Sequence, residues 1–261
     1  MSKLAPAYPK SGKALLAGKT VVVTAAAGTG IGWWTARRAI DEGALVLISD
    51  FHERRLGEAA EKLEKLTGQR PAICICDVTN EEQVRQLVKT SIAELGHVDV
   101  LVNNAGLGGH ARVVDMTDEQ WSKVLDVTLN GTFRMLRAML PHMMERGSGA
   151  IVNNASVLGW RAQEGQSHYA AAKAGVMALT RCVAIEAAEA GVRVNAVSPS
   201  LAMHEFLSKV TPDGLLKELE SREAFGRAAE PFEIANVIVF LASDYSSYMT
   251  GEVVAVSNQR A

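Results

Sequence analysis

Short apolar runs rich in β-branched residues alternate along this chain with segments whose apolar residues return every three or four positions, and few folds accept that alternation. The runs are Thr20–Thr24, Leu45–Ser49, Ala72–Cys76, Val98–Val102, Ala150–Asn153, Val192–Val197 and Val253–Val256. Between them, Glu53–Leu66, Glu81–Leu95, Glu119–Met144 and Ala170–Ala190 carry the helical period. Strands apolar at nearly every residue must be covered on both faces. A parallel sheet between two layers of helices achieves this, whereas an antiparallel sheet with one wet face does not. The expectation is an α/β chain with a seven-stranded parallel sheet and helices on both faces.

No Pro/Gly/Ser-rich linker, repeat or shift of composition interrupts the pattern, so a single domain is expected over residues 19–261, preceded by a flexible arm at 1–18 that is rich in Lys and Pro. The least patterned stretch, 198–226, reads as a substrate lid. With 261 residues, 48% of them apolar, the chain can bury a large core. A formal charge of -2, with no basic block, argues against nucleic acid as a partner. No run approaches the roughly 18 apolar residues of a membrane-spanning helix, which argues against a membrane partner. Cys74, Cys76 and Cys182 lack metal-site spacing, so no metal is expected, and so sparse a set of thiols suits a reducing cytoplasm.

After the first run comes TAAAGTGIG, which places Gly28, Thr29, Gly30, Ile31 and Gly32 where a strand turns into a helix. Glycines there let backbone N–H groups approach a pyrophosphate at the positive end of the helix, although they serve equally as tight-turn residues. Asp50 closes the second strand, 22 residues beyond Gly28, a spacing that suits a carboxylate accepting bonds from an adenosine ribose. An acid there repels a 2'-phosphate, so NAD is expected ahead of NADP, while Arg54 and Arg55 read as solvated charges or as phosphate ligands. Asp77, next to Val78, reads either as a partner of the adenine amino group or as a turn residue.

Tyr169 and Lys173 stand four apart in YAAAKAGVMAL, on one face of a helix. A phenol with a pKa of about 10 is a poor base at neutral pH, and a nearby ammonium is expected to lower that value. Ser156 follows the strand AIVNNA, at the sheet edge where α/β ligands bind.

The glycine-rich turn, NNAG at Asn103–Gly106, Ser156 and Tyr169-x-x-x-Lys173 together resemble the short-chain dehydrogenase/reductase family, from about Lys19 to Val256 and including EPFEIANVIVFLASDYSSYMTGE. The resemblance implies a Rossmann fold and a nicotinamide-dependent interconversion of a secondary alcohol and a ketone. In it Tyr169 exchanges the proton, Ser156 bonds the same oxygen, and Lys173 holds the ribose and tunes Tyr169. It implies that Asn103, Ala105, Gly106 and, after the sixth strand, Pro199 belong to the cofactor site. A homo-oligomer, dimer or tetramer, is also implied.

Four positions depart from the family's pattern. Thr24 to Gly30 spans one residue more than usual, with Ala25 in place of the first glycine. The catalytic asparagine of the fourth helix becomes Thr128, which either serves in its place through the hydroxyl, as a fourth catalytic residue, or leaves the proton relay altered, while Asn130, two positions on, is expected to face elsewhere. The motif PGxxxT reads PSLAMH, with Ser200 for Gly and His204 for Thr, and the closing GG is replaced by SNQRA.

Substrate walls are expected from Leu107–Arg112, Val157–His168 and the lid. Leu158, Trp160, Met203, Phe206 and Leu207 could line an apolar pocket, and Arg112, Arg161 and Lys209 could meet a carboxylate or a CoA phosphate. His168, beside Tyr169, reads as a surface residue ahead of a substrate contact, and Trp33 and Trp34 as a cofactor wall or a subunit contact. NNASVLGWRAQ and TGEVVAVSNQRA are similar to a bacterial branch of the family tied to breakdown of steroid rings and CoA-linked intermediates. A 3-oxoacyl-thioester reductase is the alternative within the family, and a nucleotide-binding regulator without turnover is the alternative outside it.

Overall fold

The structure, a computed structural model, describes residues 14–203 and 213–258. The elements run β1 (Thr20–Thr24), α1 (Ile31–Asp41), β2 (Leu45–Asp50), α2 (Glu53–Thr67), β3 (Ala72–Ile75), α3 (Glu81–Leu95), β4 (Val100–Asn103) and α4 (Asp118–Leu125). They continue with α5 (Gly131–Arg146), β5 (Gly149–Asn154), α6 (Ser167–Ala188), β6 (Val192–Pro199), α7 (Asp213–Arg222), α8 (Pro231–Ala242) and β7 (Val253–Val256). The seven strands form one sheet in the order β3-β2-β1-β4-β5-β6-β7, every neighbouring pair parallel.

Period-two burial divides the core between the two faces. Val21 and Val23 of β1 pack with α1, α2 and α8, while Val22 between them packs with α3, α5 and α6. The winding reverses between β1 and β4, which opens a crevice at the carboxyl ends of those strands, where ligands of doubly wound sheets bind.

Three expectations are corrected. The arm ends earlier than residue 18: Leu16 is buried, its N–H donates to the Glu42 carbonyl, and Gly18 N–H donates to Gly43, while residues 1–13 lie outside the described part. The helix expected over Glu119–Met144 is split by a π-helical turn, Asp126–Asn130, in which the Thr128 carbonyl accepts from Thr132 Oγ1 at 2.8 Å; a Cβ on Gly131, the next residue, would stand 2.7 Å from Val78. The stretch 198–226 is divided: Ser198 and Pro199 finish β6, α7 starts at Asp213, and His204, Phe206, Leu207 and Lys209 lie outside the described residues. Among the described residues, no helix is long and apolar enough to cross a membrane.

Candidate active site

The turn after β1 is fixed from below by Thr24 and Asn104. Thr24 Oγ1 accepts from the N–H groups of Asn104 (3.0 Å) and Ala105 (3.1 Å), and Asn104 Nδ2 donates to the carbonyls of Thr24 and Ala25. Ala25 adopts a φ of 52°, a left-handed conformation that suits the glycine it replaces. Gly32 is used for packing: a Cβ there would lie 2.5 Å from both Ala25 O and Asn104 Nδ2. At Gly28, exposed with a φ of 151°, a Cβ would meet nothing within 4 Å, so the turn is open on its outer side. Thr29, Gly30 and Ile31 are partly exposed there. Helix α1 begins at Ile31 with no side-chain cap and no acid in its first turn, which leaves its amides facing outward for an anion.

Asp50, 7% exposed, accepts from Ala27 N–H at 3.2 Å through one oxygen and from His52 N–H at 3.1 Å through the other. Burial raises its pKa, offset in part by the Ala27 N–H and the positive charge of Arg55. Each oxygen keeps a second lone pair, the donor-free pair that a ribose diol needs. Arg54 pairs with Glu58 at 2.6 Å in solvent, in line with a solvated charge. Phe51, exposed and stacked on His52 at 3.8 Å, adds an apolar shelf that nothing in the spacing announced. Asp77 behaves as a turn residue, accepting from Thr79 N–H and Oγ1. Val78 turns its side chain inward against Gly131 and so offers only its backbone. These features together fit a dinucleotide: open glycines, uncapped amides and an acceptor carboxylate along one crevice.

The Rossmann switch point is crossed by two pairs of asparagines. Asn103 and Asn153 are register partners, and Asn103 Nδ2 donates to Asn153 Oδ1 at 2.9 Å. Asn103 is 3% exposed, while Ala105, partly exposed, and Gly106, exposed, stand at the rim. One residue on, Asn154 Nδ2 donates to Asn104 Oδ1 at 3.0 Å, and the Asn154 carbonyl accepts from Lys173 Nζ. Lys173 is thereby connected to the turn after β1. Thr24, Asn104 and Asn154 were missed in the sequence because only strand register aligns them.

Ser156 leaves β5 at its carboxyl end and accepts from Leu158 N–H at 3.3 Å, with its hydroxyl on the side of the Tyr169 phenol, whose pKa it lowers. Burial, the larger effect, holds the Tyr169 phenol above its usual pKa. Lys173 is 3% exposed, its Nζ 5.5 Å from the Tyr169 ring centre, and burial lowers its pKa to about 7. Burial thus weakens the ammonium expected to lower the phenol, because removal from water disfavours the charged form of both side chains. Gly106 makes room for both neighbours, since a Cβ there would stand 3.3 Å from Lys173 Nζ and 3.7 Å from Thr128 Oγ1. Thr128 is fully buried, its hydroxyl on the backbone of Leu107, whereas Asn130 turns away to Asp126. Pro199 ends β6 beside this group.

The loops after β4 and β5 are stitched together by Ala111 N–H to the Gly165 carbonyl and Gln166 Nε2 to the Gly109 carbonyl. They frame a cavity of about 450 Å³ lined by Arg112, Arg161, Gln163, Glu164, Ser167 and Ala170, among others. Arg112 and Glu164 stand 3.8 Å apart in solvent. His168 is 1% exposed, not a surface residue; it packs against Gly109, and burial lowers its pKa. Trp33 is buried between α1 and α2, donating to the Ala59 carbonyl, and Trp34 packs on Phe232 of α8.

The family model described as enoyl-(acyl carrier protein) reductase matches residues 25–258. The chain is 63% identical over 250 residues to the (5R,7aS)-5-hydroxy-7a-methyl-1-oxo-2,3,5,6,7,7a-hexahydro-1H-indene-carboxyl-CoA reductase of Mycobacterium tuberculosis, covering 95% of each. It is 38% identical over 241 residues to the 3-oxoacyl-[acyl-carrier-protein] reductase FabG of Thermotoga maritima, covering 92% of this chain and 97% of that one. A solved short chain dehydrogenase from Mycobacterium smegmatis superposes with a TM-score of 0.88 at 59% identity, over 99% of both chains.

Proposed function

Since this chain belongs to the short-chain dehydrogenase/reductase family and is an oxidoreductase of CH–OH groups that uses a nicotinamide cofactor, NAD or NADP, we propose that it interconverts a secondary alcohol and a ketone on a fused-ring CoA thioester with NAD. The observation that carries the chemistry is the convergence of Ser156, just past the end of β5, with Tyr169 and buried Lys173 of α6, whose Nζ lies 5.5 Å from the Tyr169 ring centre and donates to the Asn154 carbonyl. When bound, the nicotinamide supplies or accepts the hydride. In reduction the Tyr169 O–H gives its proton to the carbonyl oxygen as that oxygen gains negative charge, and in oxidation Tyr169 takes the proton back. Ser156 donates to the same oxygen, and Lys173 holds the ribose and returns a proton to Tyr169. Gly28, Thr29, Gly30 and Ile31 would hold the pyrophosphate, Asp50 the adenosine ribose, and Asp77 and the Val78 backbone the adenine. Ala105, Gly106 and Pro199 would line the nicotinamide half.

NAD is favoured because both Asp50 oxygens are fixed by backbone N–H groups and repel a 2'-phosphate. The CoA thioester is supported by the similarity to the indene-carboxyl-CoA reductase and by Arg112 and Arg161, which line the cavity between the loops after β4 and β5. The likeness to FabG supports a 3-oxoacyl thioester as the second reading. Three free thiols fit a reducing cytoplasm, and exposed Trp121, Phe133 and Met144 on α4 and α5 support a homo-oligomer.

The test is turnover at 340 nm with fused-ring ketone CoA thioesters, the corresponding free acids and 3-oxoacyl-CoA compounds, each with NADH and NADPH. Turnover led by the ring thioester with NADH is expected. Preference for the 3-oxoacyl compounds selects the second reading, and NADPH preference overturns the cofactor assignment.

A further inference from the structure

Behind the site lies a buried carboxylate that the reaction itself does not use. Glu223, 3% exposed, sits directly after α7, and its Oε2 accepts from Ser200 Oγ at 3.2 Å while Oε1 faces Leu201 N–H at 3.5 Å. Ser200 stands where the family pattern has glycine. Its hydroxyl thus supplies a donor for a carboxylate removed from water, a group that is costly to bury without one. The segment is held at further points: Ser200 N–H donates to Val256 O (3.2 Å), Met203 N–H to Ala229 O (2.9 Å) and Ala229 N–H to Leu201 O (2.8 Å). The altered C-terminal stretch joins in, because the Asn258 carbonyl accepts from Ala224 N–H at 3.0 Å.

The segment so held is the continuation of β6 beyond Pro199. Val197 is the register partner of Asn154, so Ser156 and Pro199, each two residues further on, leave the same sheet edge side by side. We infer that Glu223 is a positioning residue of the reaction: through Ser200 it fixes the Pro199–Met203 backbone as the wall beside Ser156, against the nicotinamide end of the cofactor. This rests on the dehydrogenase reading above. Bonds to Val256 and Ala229 hold the two flanks of the segment, and Glu223 holds its centre, directly behind the reacting group.

The experiment compares Glu223→Val, Glu223→Gln, Ser200→Ala and the double variant Ser200→Gly/Glu223→Val with the unmodified protein. It reads NADH dissociation constants by fluorescence, kcat and KM separately, and the isotope effect with NADH deuterated at the transferred position. Glu223→Val is expected to weaken NADH binding and lower kcat by tenfold or more, with a changed isotope effect. Ser200→Ala, which leaves the fold's other ties intact, should show the same direction at smaller size. Glu223→Gln, which keeps an acceptor for Leu201 N–H and a polar partner for Ser200, should recover to within threefold. The double variant should outperform Glu223→Val alone, because no buried hydroxyl is left without its acceptor. Unchanged cofactor binding, kcat and isotope effect in both Glu223→Val and Ser200→Ala overturn the inference while leaving the enzyme reading intact. An unmodified protein that binds neither NADH nor NADPH overturns both.

Discussion

Thr128 Oγ1 accepts from the Leu107 N–H at 3.0 Å and donates to the Leu107 carbonyl at 3.2 Å, so one hydroxyl occupies both backbone groups of a single residue. Leu107 directly follows the NNAG turn, and Thr128 lies in the π-helical turn between α4 and α5. A side chain shorter than the asparagine of the family pattern thereby fastens the loop that forms one wall of the site to the helix behind it. Its hydroxyl is engaged with that backbone in doing so.

Thr128→Val keeps the shape but leaves the Leu107 N–H and C=O without that partner, a loss of about 1–3 kcal/mol for buried groups. Urea unfolding should show this loss, and kcat should fall with it. Thr128→Ser should retain both properties. Full activity in the valine variant would place the fastening elsewhere.

The pKa of Lys173, lowered from 10.5 to about 7, makes the stability of the cofactor-free protein depend on pH. Between pH 7 and roughly 9 the unfolded chain binds a proton at this lysine that the folded chain does not, so stability rises with pH and is lost as pH falls through about 7; above roughly 9 the buried Cys76 thiol, raised to about 12, ionises only in the unfolded chain and offsets the rise. The slope is on the order of 1 kcal/mol per pH unit for one proton. Tyr169, raised by burial, acts only above that window. Denaturant titrations at a series of pH values should show the slope in the unmodified protein and its absence in Lys173→Met.

Asp50→Ala removes the acceptor of Ala27 N–H and His52 N–H together with the charge that repels a 2'-phosphate. NADH binding should weaken by tenfold or more and NADPH binding by less, narrowing the gap between them. Fluorescence titration with both cofactors measures it. Equal weakening of the two would show that Asp50 shapes the turn without selecting the cofactor.

Gly32→Ala would drive a methyl group to 2.5 Å from the Ala25 carbonyl. Backbone cannot yield there without moving the turn away from Asn104, so destabilisation of about 1–3 kcal/mol is expected from overpacking. Dinucleotide affinity should fall with it. Gly28→Ala, open on its outer side but at a φ of 151°, should cost backbone strain without a clash. Thermal melts of both variants with and without NADH separate the two effects.

Arg112→Ala combined with Arg161→Ala should raise KM for a CoA thioester several-fold while leaving KM for the matching free ketone within twofold, and the thioester KM should become less sensitive to salt. Equal effects on both substrates would place these arginines in loop structure and not in recognition of the CoA portion.

The seven strands were legible in the sequence because burial on both faces demands unbroken apolar runs, and each expected run overlaps its observed strand. Ser156, Tyr169 and Lys173 were legible as well, since helical spacing and a strand end are local properties. Local pattern fails where the backbone leaves regular geometry. The π-helical turn at Asp126–Asn130 is hidden within a continuous helical period, because one widened turn depends on what Gly131 and Thr128 meet across space. His168 likewise reads as a surface residue in the sequence, and only the fold brings Gly109 against it and buries it.

By itself, the sequence determined the layered sheet, the position of the crevice and the choice of Ser156, Tyr169 and Lys173 as candidates for the reaction, because these follow from periodicity and from residue types at short spacing. The tertiary structure alone decided how burial shifts those side chains and what supports them. Lys173 is shifted by burial, Asn154 meets Asn104 through strand register, and Glu223 reaches Ser200 across 23 residues of chain. Desolvation and hydrogen bonding act through space, and neither distance in space nor exclusion of water is written in the order of residues.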